Sequence, residues 1–132
     1  MGIPYYFYTI TNTYDNILLY NIPSCIIDHL FIDFNALVHS AANQIEDISN
    51  DTIFEKTWEL IKECNSEIKP SKIVHICADG VAPVAKMNQQ RKRRFLSIFR
   101  QQLQNKKEVW DRNCISPGTS FSKELNTFIK KK

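Results

Sequence analysis

Two rhythms of apolar and polar positions run along this chain of 132 residues. Two short apolar runs, His29 to Phe34 (HLFIDF) and Lys72 to Ala78 (KIVHICA), read as buried strands. Between them the period lengthens. Asn35 to Gln44 (NALVHSAANQ) suits a helix, and Asp51 to Ile68 predicts another, with Phe54, Trp58, Ile61 and Ile68 on one broad face. Thr52 and Glu55 have capping-box spacing at its start, and Pro70 stops it. Strand, helices, strand is the βαβ pattern, which predicts two parallel strands in a sheet covered on both faces. A further helical segment follows the Gly80 to Pro83 loop and runs to about Lys106. After a turn at Asn113 to Gly118 (NCISPG), Phe121, Leu125, Phe128 and Ile129 mark a last helix at i, i+4, i+7 and i+8.

The first stretch, Ile3 to Tyr14, is ambiguous in period. It is strand-like by propensity and helix-like by Pro4 near its start. Its aromatics, Tyr5, Tyr6, Phe7, Tyr8 and Tyr14, are expected to pack in the core rather than to form a cofactor-stacking box.

Composition narrows the class. A hydrophobic share of 43% is enough to bury a core, and the length allows one domain, 1–132, or part of one. Neither an internal repeat nor a linker interrupts it. The net charge of +3 says little by itself, but the cations gather in the middle and at Lys130, Lys131 and Lys132, which favours a polyanion partner. The four cysteines are far apart, without a C-x-x-C pair, and three sit among apolar neighbours as small buried hydrophobes. Cys25 and His29 could form half of a metal site whose second half is not visible. No signal peptide is evident, and no apolar run approaches the ~20 residues that cross a bilayer. A reducing, intracellular setting fits, nuclear or cytoplasmic alike.

Chemistry concentrates at the strand ends. Both apolar runs lead into an aspartate, Asp33 and Asp79, and sites in open parallel sheets form at the carboxyl ends of the strands. The two carboxylates are therefore expected in one crevice. Between Asp79 and Glu108 there is no acidic residue, while Lys86, Arg91, Lys92, Arg93, Arg94 and Arg100 accumulate. On a helix, Lys86, Gln90, Arg93 and Arg94 stand at i, i+4, i+7 and i+8, a polar stripe, with Met87, Phe95, Ile98 and Phe99 towards the other side. Acid followed by unneutralised cations suits a place where phosphate meets a metal; the alternative is a solvated basic helix.

These residues resemble a known pattern. The opening MGIPYYF, the segment LFIDFNALVH, the run DGVAPVAKMNQQRKRRF and, more weakly, NCISPGTSF are similar to the N-terminal part of the XRN family, the 5′→3′ exoribonucleases. Together they span nearly the whole chain in order. Flap endonucleases share an Asp-Gly with basic residues after it, but not KMNQQR. The resemblance implies an α/β fold, a PIN-like 5′-nuclease parallel sheet flanked by helices and truncated to its N-terminal portion. It implies Mg²⁺-dependent hydrolysis (two ions, or Mn²⁺ in their place) of RNA from a 5′-monophosphate end. In that reading Asp33 and Asp79 are metal-site carboxylates, Lys86, Gln90, Arg93 and Arg94 form the 5′-phosphate pocket, and His39 stacks on the first base. Ala36 stands where the family usually has Gly. The family completes its metal site with acids further downstream, whereas the last acid here is Glu124. The nuclease domain is thus expected to be incomplete, with a missing C-terminal segment or a partner chain supplying the rest. A non-catalytic RNA- or 5′-phosphate-binding remnant and a flap-type DNA nuclease are the alternative readings.

Overall fold

A computed structural model describes residues 3, 5–18, 25–103 and 110–132, with Gln101 placed by its backbone only. In chain order the elements are α1 (Tyr6–Thr13), β1 (His29–Asp33), α2 (Phe34–Gln44), α3 (Asn50–Ile68), β2 (Ile73–Cys77), α4 (Val84–Leu103), a short 3₁₀ turn (Arg112–Cys114) and α5 (Ser120–Ile129). The strands pair in parallel, His29 opposite Ile73 through Asp33 opposite Cys77. The βαβ unit expected from the apolar rhythm is present, and the protein is mixed α/β with a small parallel sheet flanked by helices.

The core lies on one side of that sheet. Ile32 of β1, Phe34 and Val38 of α2, Ile53, Phe54 and Ile61 of α3, Ile115, and Phe121 and Leu125 of α5 form one buried cluster. Phe54 meets Phe121 at 5.2 Å between ring centroids, and Trp110 meets Phe121 edge-on at 5.3 Å. Burying each such side chain stabilises the fold by about 1.5–3 kcal/mol. Thr57 is the buried polar residue of this core, and its hydroxyl donates to the Ile53 carbonyl at 2.7 Å.

The opposite face of the sheet is not covered by the described residues, contrary to the two-sided burial that the βαβ pattern suggests. Phe31 is 67% exposed and Ile73 48%. The aromatic N-terminal stretch also departs from expectation. It is a helix, α1, but no residue of it is buried: Tyr6, Phe7 and Tyr8 are all more than half exposed. Apolar character predicts burial only where a complementary surface exists, and the described residues bury no position of α1. The cysteines follow suit, with Cys25 and Cys77 exposed and Cys64 and Cys114 half-buried.

Helix ends refine the picture. The capping box of α3 is formed by Ser49 and Thr52, not by Thr52 and Glu55. The Ser49 hydroxyl accepts from the Thr52 N–H at 3.2 Å, and the Ser49 N–H donates back to the Thr52 hydroxyl at 2.9 Å. Helix α4 is described to Leu103; the expected extension to Lys106 lies outside the described residues. Its apolar positions do not form a packed face. Met87, Phe95, Ile98 and Phe99 are all at least 40% exposed, and Phe95 and Phe99 stack on each other. No helix among the described residues is long and apolar enough to cross a membrane.

Candidate phosphate and metal site

The carboxyl end of the sheet opens into a cavity of about 900 Å³. Each residue that the resemblance assigns to the site lines it: Asp33, His39, Asp79, Lys86, Gln90, Arg93 and Arg94. The floor is built by the βα junction. Asp33 closes β1 and caps α2, its Oδ1 accepting from the Ala36 N–H at 3.1 Å. An ionised carboxylate has several acceptor positions, so the cap does not exhaust it. Asp79 lies two residues beyond β2, in a loop, and its N–H donates to Asn35 Oδ1 at 3.2 Å. Asn35 thereby fastens the second aspartate to the helix that the first one caps. Ala36 is helical, so its β-carbon is accommodated where the related pattern has Gly.

Helix α2 presents a second row. Asn35 and His39 are four apart and Ala36 and His39 three apart, which places them on one face. Phe34, Val38, Ala41 and Ala42 form the buried face. The imidazole of His39 is held below its ordinary pKa, chiefly by burial and then by Arg112 and Arg93, with Asp33 opposing. The ring therefore favours its neutral form near pH 7, and it lines the cavity together with both guanidinium groups.

The wall is α4. Lys86, Gln90 and Arg94 are half-buried and Arg93 is exposed. Arg94 reaches across to the Asn113–Gly118 turn, where its Nη2 donates to Ser116 Oγ at 2.6 Å. That turn is braced internally. Ser116 donates to the Asn113 carbonyl at 2.7 Å, Thr119 donates to the Cys114 carbonyl at 2.6 Å, and Gly118 takes the left-handed φ of 87° that the reversal needs. The donor stripe is less cleanly separated than the helical spacing suggests, since Met87, Phe95 and Ile98 border the same cavity.

Sequence reasoning missed three contributors. Asn35 positions Asp79, Ser116 tethers Arg94, and Arg112 enters from the 3₁₀ turn with its Nη1 donating to Asn43 Oδ1. Asn35 and Ser116 lie within LFIDFNALVH and NCISPGTSF, two of the stretches that carry the resemblance. Arg112 precedes the second of these and had no pattern to mark it. Among the described residues no group of three or more His, Cys, Asp or Glu is placed to hold a metal ion. Of the residues suggested for half of a metal site, Cys25 is exposed and His29 lies 3.3 Å from His75.

The family described as the XRN 5′-3′ exonuclease N-terminus matches residues 1–132. The chain belongs to this family. It is 33% identical over 150 residues to 5′-3′ exoribonuclease 1 of Homo sapiens, covering 98% of this chain and 9% of that protein. Against 5′-3′ exoribonuclease 1 of Saccharomyces cerevisiae the identity is 35% over 156 residues, covering 100% of the chain and 10% of the relative. 5′-3′ exoribonuclease 2 of Kluyveromyces lactis is 32% identical over 133 residues, or 82% of the chain and 13% of the relative. The chain spans about a tenth of the length of the curated relatives it matches.

Proposed function

We propose that this chain forms the 5′-phosphate pocket and the first carboxylates of an XRN-type 5′→3′ exoribonuclease site, acting on RNA with a 5′-monophosphate end. The observation that carries the reading is convergence. Two aspartates from successive strand ends and a four-donor helical stripe face one cavity. A terminal phosphate placed against Lys86, Gln90, Arg93 and Arg94 gains charge-assisted hydrogen bonds, each worth about 1.5–3 kcal/mol. The neutral ring of His39 offers a stacking surface that accepts any base, as an enzyme degrading unrelated sequences requires.

Hard oxygen donors at Asp33 and Asp79 suit Mg²⁺, which takes one or two carboxylates together with water and substrate phosphate. Two carboxylates therefore fit one hydrated ion and fall short of the set that two ions need. Bound there, such a cation would stabilise developing negative charge at the scissile phosphate. The protein's own part is to hold the 5′ end against α4 and to fix the spacing of Asp33 and Asp79 through Asn35. Completing a two-ion site calls for further acids from a C-terminal segment or a partner chain. The same reasoning keeps a second reading in view, a 5′-phosphate-binding remnant that does not cut, favoured by the absence of a three-ligand group among the described residues.

The test is to offer the chain, with Mg²⁺, RNAs that are 5′-monophosphorylated, 5′-hydroxylated or circular. Degradation confined to the monophosphate RNA supports the exoribonuclease reading. Binding of that RNA without loss, abolished in Arg93→Ala, supports the remnant. Equal handling of all three RNAs, or preference for flapped DNA, overturns both.

A further inference from the structure

Away from this cavity, the face of the sheet that the described residues leave uncovered carries a pair of histidines. His29 opens β1 and His75 lies at the centre of β2, diagonal neighbours in the parallel register. His29 Nδ1 and His75 Nε2 are 3.3 Å apart, with ring centroids 5.5 Å apart. Phe31, the register partner of His75, lies flat against it at 4.4 Å and 4° and packs one face of that imidazole. His29 is exposed and His75 partly so, which leaves both open to solutes.

We infer that His29 and His75 form a cross-strand chelate for a late first-row divalent cation, Zn²⁺, Ni²⁺ or Cu²⁺. The separation carries the inference. Two nitrogens at 2.0–2.1 Å from a tetrahedral ion lie roughly 3.3–3.4 Å apart, which is the spacing the strands already impose. Chelation therefore asks for a turn of the rings and no movement of the backbone. Imidazole selects these metals over Mg²⁺, which prefers oxygen, so this pair and the Asp33–Asp79 floor differ in the ions they take. In the free protein one of the two nitrogens donates to the other. On metal binding the proton of the donating ring moves from its facing nitrogen to its other ring nitrogen through solvent, both facing nitrogens become ligands, and the charge of the rings is unchanged. Water fills the remaining positions.

Nearby groups leave the pair as the principal donors. Asp28 beside His29 is engaged by Lys72 at 2.6 Å and by Ser71 at 2.7 Å. Cys77, two residues from His75 on the same face of β2, donates to the His75 carbonyl at 3.9 Å. Because only two side chains ligate, affinity is expected in the micromolar range rather than at the level of a structural zinc site.

Calorimetric titration of the full chain with NiCl₂ or ZnCl₂, in excess Mg²⁺, tests this directly. One equivalent should bind, with the binding lost in both His29→Gln and His75→Gln and kept in Cys77→Ser. At free metal one hundred times the dissociation constant, the folding equilibrium should rise about 100-fold, read as a higher urea midpoint. Cu²⁺ EPR of the unmodified chain should show coupling to two imidazole nitrogens, a readout independent of whether the variants fold. Binding unchanged in either histidine variant, binding lost only in Cys77→Ser, or half-saturation no tighter than millimolar overturns the inference. None of these outcomes depends on the exoribonuclease reading.

Discussion

Arg94 offers the sharpest test of the cavity, because it serves two purposes that can be separated. Its guanidinium stands in the donor stripe, and its Nη2 also binds Ser116 Oγ at 2.6 Å. Arg94→Ala removes both. The group is half-buried, so its bond to a terminal phosphate should fall towards the lower end of the charge-assisted range, about 1.5–2 kcal/mol. That corresponds to about a 10- to 30-fold loss of affinity. Ser116→Ala removes the tether and leaves the cation. Both partners can turn to water, so the tether is worth about 0.5–1 kcal/mol of stability, and most of it should not appear in binding. The assay is fluorescence anisotropy in EDTA, which prevents cleavage, with 5′-monophosphate and 5′-hydroxyl forms of one RNA. Arg94→Ala should weaken the monophosphate form selectively, and Ser116→Ala should weaken neither by more than about threefold. Equal weakening of both RNAs by Arg94→Ala would show that the arginine contacts the backbone at large, and the assignment of a 5′-phosphate pocket would fail.

Three further outcomes follow from the packing and the titrating groups. Phe121→Ala, at a site 3% exposed between Phe54 and Trp110, should cost about 3–5 kcal/mol in urea unfolding, and a cost below 1 would displace it from the centre of the core. His39 has a folded pKa below its usual 6.5, so between the two values the unfolded chain binds more protons. Stability should accordingly fall as pH drops below 6.5, and His39→Gln should flatten that slope in denaturation series at successive pH values. Burial, and then Asp111, push the Cys114 thiol up to about 11, so iodoacetamide at pH 8 should modify exposed Cys25 and Cys77 well before Cys114 by mass spectrometry of the peptides.

Much of the arrangement was readable before any coordinates. Period alone located β1, α2, β2 and α5 to within a residue or two, because β1, α2 and α5 bury apolar residues in one cluster and β2 packs Val74 against it. The strand-end rule brought Asp33 and Asp79 together, and helical spacing sorted the α4 donors, since both depend on local geometry. What the sequence concealed depends on surroundings. The aromatics of α1 look like core residues, yet burial is a property of two surfaces and the described residues provide one. Ser49 as the cap of α3 escaped notice because Thr52 and Glu55 offered the familiar spacing, while the actual box uses a threonine in the returning position. Asn35, Ser116 and Arg112 act through contacts between segments 22 to 69 residues apart, and no local pattern encodes such pairs.

The division within the cavity bears on how specificity could arise. The cations come from one continuous helix, whereas the carboxylates come from two strand ends fastened by the Asn35 amide. No described side chain of α4 belongs to the buried core, and its described side-chain hydrogen bond to the body is the one from Arg94 to Ser116. A phosphate drawn to Arg94 therefore engages the same group that positions the wall. Binding and wall placement are linked thermodynamically: whatever the tether contributes to order in the free chain reduces the ordering that the ligand must impose. The floor has no such dependence, because Asp33 caps a helix whose opposite face is core. On the proposed reading the RNA end meets the less anchored element, α4, while Asp33 sits at the start of a helix packed against the core. The comparison of Ser116→Ala with Arg94→Ala measures that difference: the first changes the order of the wall while keeping its charge, and the second changes both.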